Sequence, residues 1–327
     1  MRKLIREEIS RKPIFWVLLS LLFIGGAIFS YLNYSKVFPI VTLDLKMDRE
    51  AALQSARSLA KKHNLGLGDF KQAATFDLDY EAKTYVELEA GGSEAFQKML
   101  EDGFYAPYTW TVRHFKEGEV KETLIHFTPS GKPYGFAEWL EAGEHIVSLS
   151  PEKAITVAET EARDTWHVDL AAYELVEKSH EVRSKGRVDH TFVYERLDHR
   201  IGEAGYRLRL EVSGDKLTEL RHFIKIPESF SLRYKEMRSA NNTIADLGSF
   251  VMDALYGLIG CVIGLLFLLR KRWVIWRTPL FWGIAVASLQ ALATVNQWPL
   301  AWMDYDTALS VEGFVLQNIV DLKEYEV

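Results

Sequence analysis

Cysteine is almost absent. The 327-residue chain has one, Cys261, so no disulfide can form within it and no Cys-based zinc site can be built. Histidine is missing from everything beyond His222, which removes imidazole ligands and bases from that whole region. A strong charge of one sign is missing too. The net charge of -6 argues against a nucleic-acid partner. A core of the polar region must therefore hold by packing alone, which about 200 residues can do.

Long apolar runs are what the chain does have. Ile14 to Leu32 and Phe250 to Leu269 are almost uninterrupted, and a less apolar run covers Leu280 to Val295. As helices, such runs match a bilayer core of about 30 Å, which needs roughly 20 residues. Trp16 at one end of the first run, with Tyr31 and Tyr34 at the other, suits the aromatic belts at membrane interfaces. A cleaved signal peptide is the alternative for this run. Its apolar part is too long for that and runs into Tyr31, Asn33 and Tyr34 instead of a small-x-small site.

Basic residues set the orientation. Arg2, Lys3, Arg6, Arg11 and Lys12 precede the first run, and Arg270, Lys271, Arg272 and Arg277 lie between the second and third. Both clusters are expected on the cytoplasmic side. The chain then divides into a cytoplasmic basic lead-in (1–13), a first transmembrane helix (14–33) and two extracytoplasmic α+β modules (34–148 and 149–246). A second transmembrane helix (247–269), a cytoplasmic basic loop (270–278) and a third transmembrane helix (279–298) follow. The rest (299–327) is an extracytoplasmic tail or the start of a further helix, Val311 to Val320, before the charged Asp321–Val327.

The outer region reads as a duplication. Asp48 caps a helix presenting Ala52, Leu53, Ala56, Leu59 and Ala60 on one face and ending near Gly66. Ser150-Pro151 opens a second, with Ala154, Ile155, Ala158 and Ala162 inward. An aromatic-led strand follows each: Phe70 to Phe76, and Tyr173 to Val176. Matching triplets come next, Thr84-Tyr85-Val86 and Thr191-Phe192-Val193. Alternating strands with glycine turns close each copy at Ser130-Gly131 and Ser213-Gly214. An insert from Gly91 to Gly103 predicts a short helix with Phe96, Met99 and Leu100 inward. The fold class is α+β: two helix-plus-antiparallel-sheet modules, lying side by side as separate units and tethered by about three transmembrane helices.

A helix followed by a small antiparallel sheet, repeated beside a membrane, resembles PepSY-like modules. A closer resemblance rests on Phe38-Pro39-Ile40-Val41, Asp48-Arg49-Glu50-Ala51-Ala52, Tyr85-Val86-Glu87-Leu88-Glu89, Arg113-His114-Phe115 and Phe127 to Phe136. It rests also on Arg187 to Phe192, Phe223 to Glu228, Leu289 to Ala293 and Gln297 to Leu300. Together these are similar to the N-terminal region of some bacterial CPBP-family intramembrane endopeptidases. The resemblance implies a membrane protease or a relative of one, in a bacterial cell membrane. The family's Glu-Glu-x-x-x-Arg motif and its two later histidine-bearing helices are missing. Glu7-Glu8-Ile9-Ser10-Arg11 is one residue short and precedes the first span, where a solvated lead-in accounts for it.

Other candidates read as ordinary. Asp253 lies one turn inside the second span and can reach headgroups or water. His114, His126, His180, His190, His199 and His222 are scattered through strands, without the close spacing of a metal site. Asp189-His190 has no nucleophile beside it. Gly25-Gly26, and Gly257, Gly260 and Gly264 with their GxxxG match, favour helix packing. Asn241-Asn242-Thr243 fits a glycosylation pattern that the bacterial resemblance leaves idle. No catalytic, cofactor-binding or metal-binding residue is assigned, and no cofactor is expected.

Three functions fit. The first is a non-catalytic sensing or regulatory region related to a membrane protease. The second is the non-catalytic part of a split or truncated active endopeptidase, and the third an envelope-binding structural protein. The expected partners are the lipid bilayer and either a peptide or protein substrate or a separate catalytic membrane bundle, with no nucleic acid. The topology is directly testable. A reporter fused after Lys36 or Asn241 reads extracytoplasmic and one after Arg277 cytoplasmic; a reversed reading at either place rejects this orientation.

Overall fold

The computed structural model describes residues 13–66, 68–141, 143–273 and 275–320. The lead-in with Glu7-Glu8-Ile9-Ser10-Arg11, and the tail Asp321–Val327, lie outside the described residues. Helix α1 (Pro13–Val37) leads into α2 (Arg49–His63) and strand β1 (Lys71–Leu78). Helices α3 (Tyr80–Glu89) and α4 (Gly92–Asp102) precede β2 (Tyr108–Phe115), β3 (Glu122–Phe127) and β4 (Pro133–Trp139). The second module repeats the order with α5 (Pro151–Asp164), β5 (Tyr173–Val182), β6 (Val188–Ile201), β7 (Ala204–Ser213) and β8 (Lys216–Lys225).

Each module is a helix on an antiparallel sheet, but the two sheets are one. Strand order is β1-β2-β3-β4-β8-β7-β6-β5. The last strands of the two copies pair at Phe136↔Leu220 and Ala137↔Glu219, so the expectation of separate units is corrected. Joining them hides two edges that would otherwise invite foreign strands. Gly135 makes this approach feasible, because a Cβ there would run into the Leu220 carbonyl oxygen.

Local chemistry explains the helices. The Asp48 carboxylate accepts from the Ala51 N–H at 2.8 Å, and Asn64 ends α2 in the left-handed region. Both long helices bury an alanine every fourth residue: Ala52, Ala56 and Ala60, then Ala154, Ala158 and Ala162. Small side chains bring each helix close to the sheet. The larger Leu53, Leu59 and Ile155 flank the contact and are only partly buried.

One matched triplet fails. Thr191-Phe192-Val193 lies in β6, whereas Thr84-Tyr85-Val86 lies in α3. Asp79 caps α3 through Ala82 N–H at 2.9 Å, and Ala82, Tyr85 and Val86 are buried. The insert is thus larger than the Gly91–Gly103 segment and holds two helices. Within α4, Phe96 and Met99 are buried as expected, and Leu100 partly.

Along β7, Tyr206, Leu208, Leu210 and Val212 share one face by the strand's two-residue period. The last three join the cluster beneath α2 and α5; Tyr206 joins the cluster beneath α3 and α4, together with Phe230. The opposite face of the second module is laced with ion pairs: Arg207–Glu195 at 2.8 Å, Arg209–Glu211 and Arg209–Glu219 at 2.9 Å, and Arg221–Glu219 at 3.1 Å.

Three helices are long and apolar enough to cross a membrane: Pro13–Tyr34, Glu228–Arg270 and Arg277–Asp304. The second, α6, is continuous for 43 residues from the end of the sheet, well before the apolar run starts. No proline or run of β-branched residues interrupts Ser229 to Ser249, so nothing stops the helix there. Helix α7 (Arg277–Ala301) ends in a single 3₁₀ turn, Trp302–Asp304, and α8 (Val311–Val320) follows.

The glycine at the seam yields a test. Gly135→Ala should cost about 1–3 kcal/mol through overpacking against backbone and lower the melting temperature by several degrees. Gly68→Ala, where open space surrounds the added carbon, should leave it within a degree or two. Equal effects would show that the seam tolerates separation.

Candidate functional site

Three polar arrangements stand out. The first is the junction between sheet and membrane. Arg113, on β2, is buried at 8% exposure. Its Nε and Nη2 donate to the two Glu122 oxygens at 2.7 and 2.6 Å, and its Nη1 donates to the carbonyls of Met303 at 2.9 Å and Tyr305 at 2.8 Å. A cation is thereby set against carbonyls at the end of α7, where the helix dipole is negative. Arg49 adds a bond from Nη2 to the Pro299 carbonyl at 3.0 Å. Ala73, Phe115, Tyr305 and Phe314 form a small core around the contact. The end of the third membrane helix and α8 are thus part of the sheet domain, a role for Arg113 that no sequence motif announced.

The second arrangement is a buried polar row. Gln72, His114, Thr123 and Glu138 are register neighbours across β1 to β4. Glu138 accepts from the Gly66 N–H at 2.8 Å and from Lys216 Nζ at 2.5 Å, tying both modules to the loop after α2. Gly66, at φ +72°, leaves room beside Thr123 that a side chain would remove. Gln72 Nε2 meets His114 Nε2 at 2.7 Å. The amide nitrogen can only donate, so the His114 proton sits on Nδ1. That Nδ1–H and the Thr123 hydroxyl are buried with no partner among the described residues.

The third is a cleft of about 230 Å³ at the seam between the modules, beside the ends of β1 to β4 and β8. Asp77, Asp79, Tyr105, His126, Tyr134, Arg221 and His222 line it. Tyr105 donates to Asp79 Oδ2 at 2.5 Å. The Tyr134 hydroxyl accepts from the Ala106 N–H at 3.0 Å, and its ring stacks on His222 at 4.6 Å. Thr75 donates to Asp77 Oδ1 at 3.1 Å, and the Thr111 hydroxyl meets His126 Nδ1 at 3.2 Å. Burial, reinforced by the Asp304 charge, raises the Asp77 pKa against the lowering effect of its threonine partners.

Burial also holds three histidines neutral. His114, His126 and His222 are each lowered to about 4, with smaller pushes from Arg57, Arg221 and Arg196 respectively. His126 and His222 both line one cleft, and His222 makes no hydrogen bond among the described residues. Residues distant in sequence gave no spacing to reveal this. Asp189 and His190 do not act together. Arg187 and Arg183 hold Asp189 at 2.9 and 2.8 Å, while His190 Nε2 meets the Leu149 carbonyl at 2.9 Å. Asp253 is exposed along α6, and the apolar windows of all three membrane helices are unburied, Gly257 and Gly264 included. Among the described residues no group of three or more His, Cys, Asp or Glu could hold a metal ion.

No family model, curated protein or solved structure matches the chain.

The histidines generate a pH prediction. Their folded pKa values lie below the unfolded value of about 6.5, so the unfolded chain binds more protons between the two. Their contribution is fully present above pH 6.5 and is lost as pH falls toward 4. Thermal unfolding followed from pH 7.5 to 4.5 should show a steep loss, and His126→Gln with His222→Gln should flatten it. Parallel curves for the two proteins would contradict this.

Proposed function

We propose that the chain is a non-catalytic, membrane-anchored sensing or regulatory region related to the CPBP-family proteases, with its sheet domain on the extracytoplasmic side of a bacterial cell membrane. The observation that carries this reading is the Arg113 junction. One buried guanidinium joins the sheet to carbonyls at the end of a membrane helix. A ligand or load that shifts β2 must therefore shift that helix end or break the bonds, and this is the requirement for passing a signal into a membrane.

The lack of chemistry supports the same reading. Hydrolysing an amide needs an activated nucleophile and an acid for the leaving amine. The membrane helices offer Ser20, Ser30, Asp253, Cys261, Ser288, Gln290 and Thr294 within or near their apolar stretches, without a histidine to activate them. A separate catalytic membrane bundle, or a peptide bound by the sheet domain, is the partner this reading calls for.

Two measurements test it. Arg113→Met keeps the side-chain stem but removes the donors. Amide exchange at residues 300–314 should accelerate by about tenfold or more while β6 and β7 stay protected; unchanged exchange removes the coupling. The purified chain in bilayers should cleave no peptide, and proteolysis that disappears on Asp253→Asn would replace the regulatory reading with a catalytic one.

A further inference from the structure

We propose that the cleft at the seam between β4 and β8 binds a primary ammonium group carried on a short aliphatic chain. The assignment does not depend on the regulatory reading, since it concerns only what the cleft can hold.

The size comes first. A volume of about 230 Å³ equals roughly eight water molecules' share of liquid volume. A chain of five or six atoms fills that space, and a nucleotide does not. The walls come next. Tyr105, Tyr134 and the stacked His222 make much of the lining aromatic or apolar, with Leu78, Pro107 and Leu220 completing it. Such walls suit methylene groups and the flank of a cation.

The hydrogen-bonding inventory decides the sign of the charge. Asp77 and Asp79 each keep spare lone pairs beyond the bonds they already accept. These are acceptors, and an ammonium group is three donors without an acceptor. Asp304, on the turn after α7, adds its negative charge near Asp77. The opposing cation is Arg221 at the rim, where Glu219 already pairs with it at 3.1 Å; Arg196 lies near His222 but pairs with Asp198 at 2.7 Å. An anion would meet two carboxylates and two uncharged imidazoles. The independent mark of a ligand site is His222. It is partly exposed where it lines the cleft and has no hydrogen-bond partner among the described residues, so its ring nitrogens are open to a bound molecule.

The test uses the full chain in nanodiscs of zwitterionic lipid, with empty nanodiscs as the blank. Calorimetric titration compares three molecules of one length: 1,5-diaminopentane, glutarate and 1,5-pentanediol. The diamine should bind with a Kd of about 1 mM and the other two at least tenfold more weakly. Asp77→Asn should weaken the diamine about tenfold. Arg221→Gln should strengthen it about threefold by removing a like charge, a gain that misfolding cannot produce. N-acetyl-lysine methylamide separates the sources: binding comparable to the diamine assigns the lysine side chain of a peptide, and its failure beside a binding diamine assigns a free small amine. Tighter binding of glutarate, equal binding of pentanediol, no diamine binding, or diamine binding indifferent to both substitutions overturns the proposal.

Discussion

The contact on which the architecture turns is the Arg113 guanidinium between Glu122 and the carbonyls of Met303 and Tyr305. A helix end leaves its last carbonyls without partners, and here those carbonyls arrive inside a protein core beside Phe115 and Phe314. Leaving them dry and unpaired would cost several kcal/mol. One planar fork satisfies them and, on its other edge, a carboxylate. Lysine could not replace it, having no second edge to offer. The grip also explains why α8 turns back onto the domain: Gly118 N–H donates to the Thr307 carbonyl at 2.8 Å and Val311 N–H to Glu117 at 3.2 Å.

The duplicated modules solve a related problem at their own edges. Each copy ends in a strand whose outer side lacks a partner, and pairing β4 with β8 removes both exposed edges at once. The register pairs given by backbone bonding are few, at Phe136 and Ala137, so side chains share in the closure. Glu138 is central among them. Lys216 from the other module, the Gly66 N–H and the nearby Lys121 all converge on its carboxylate. Removing one member would strand a buried charge, which is why such clusters tolerate loss poorly. At the other end of the same seam the cleft opens beside Gly135, where the missing side chain admits the Leu220 carbonyl.

Much of this was legible because it follows from local chemistry. Asp48 and Ser150 mark helix starts, four-residue alanine spacing marks the buried faces, and two-residue alternation marks β3 and β7. The membrane helices were legible from length and composition alone. What was not legible depended on pairing at a distance. Nothing in Pro133–Trp139 announces β8 as its neighbour, so two modules did not reveal one sheet. Thr84-Tyr85-Val86 resembles Thr191-Phe192-Val193 in residue type, yet the Asp79 cap decides for a helix. His126 and His222 likewise look unrelated until the seam sets Gly135 beside both of their strands. Arg113 is an ordinary strand arginine until a segment 190 positions further on supplies its acceptors.

Helix α6 runs 43 residues, about 64 Å, whereas Arg277–Asp304 runs 28, about 42 Å. Arg113 and Ala73, near one end of β1 and β2, meet the end of the shorter helix. The longer one starts beyond Lys225, at the opposite end of β8, with Phe230 against Tyr85. Both helices thus hold the domain by opposite ends of its strands. The Arg113 contact is the point where the sheet meets the end of the shorter membrane helix.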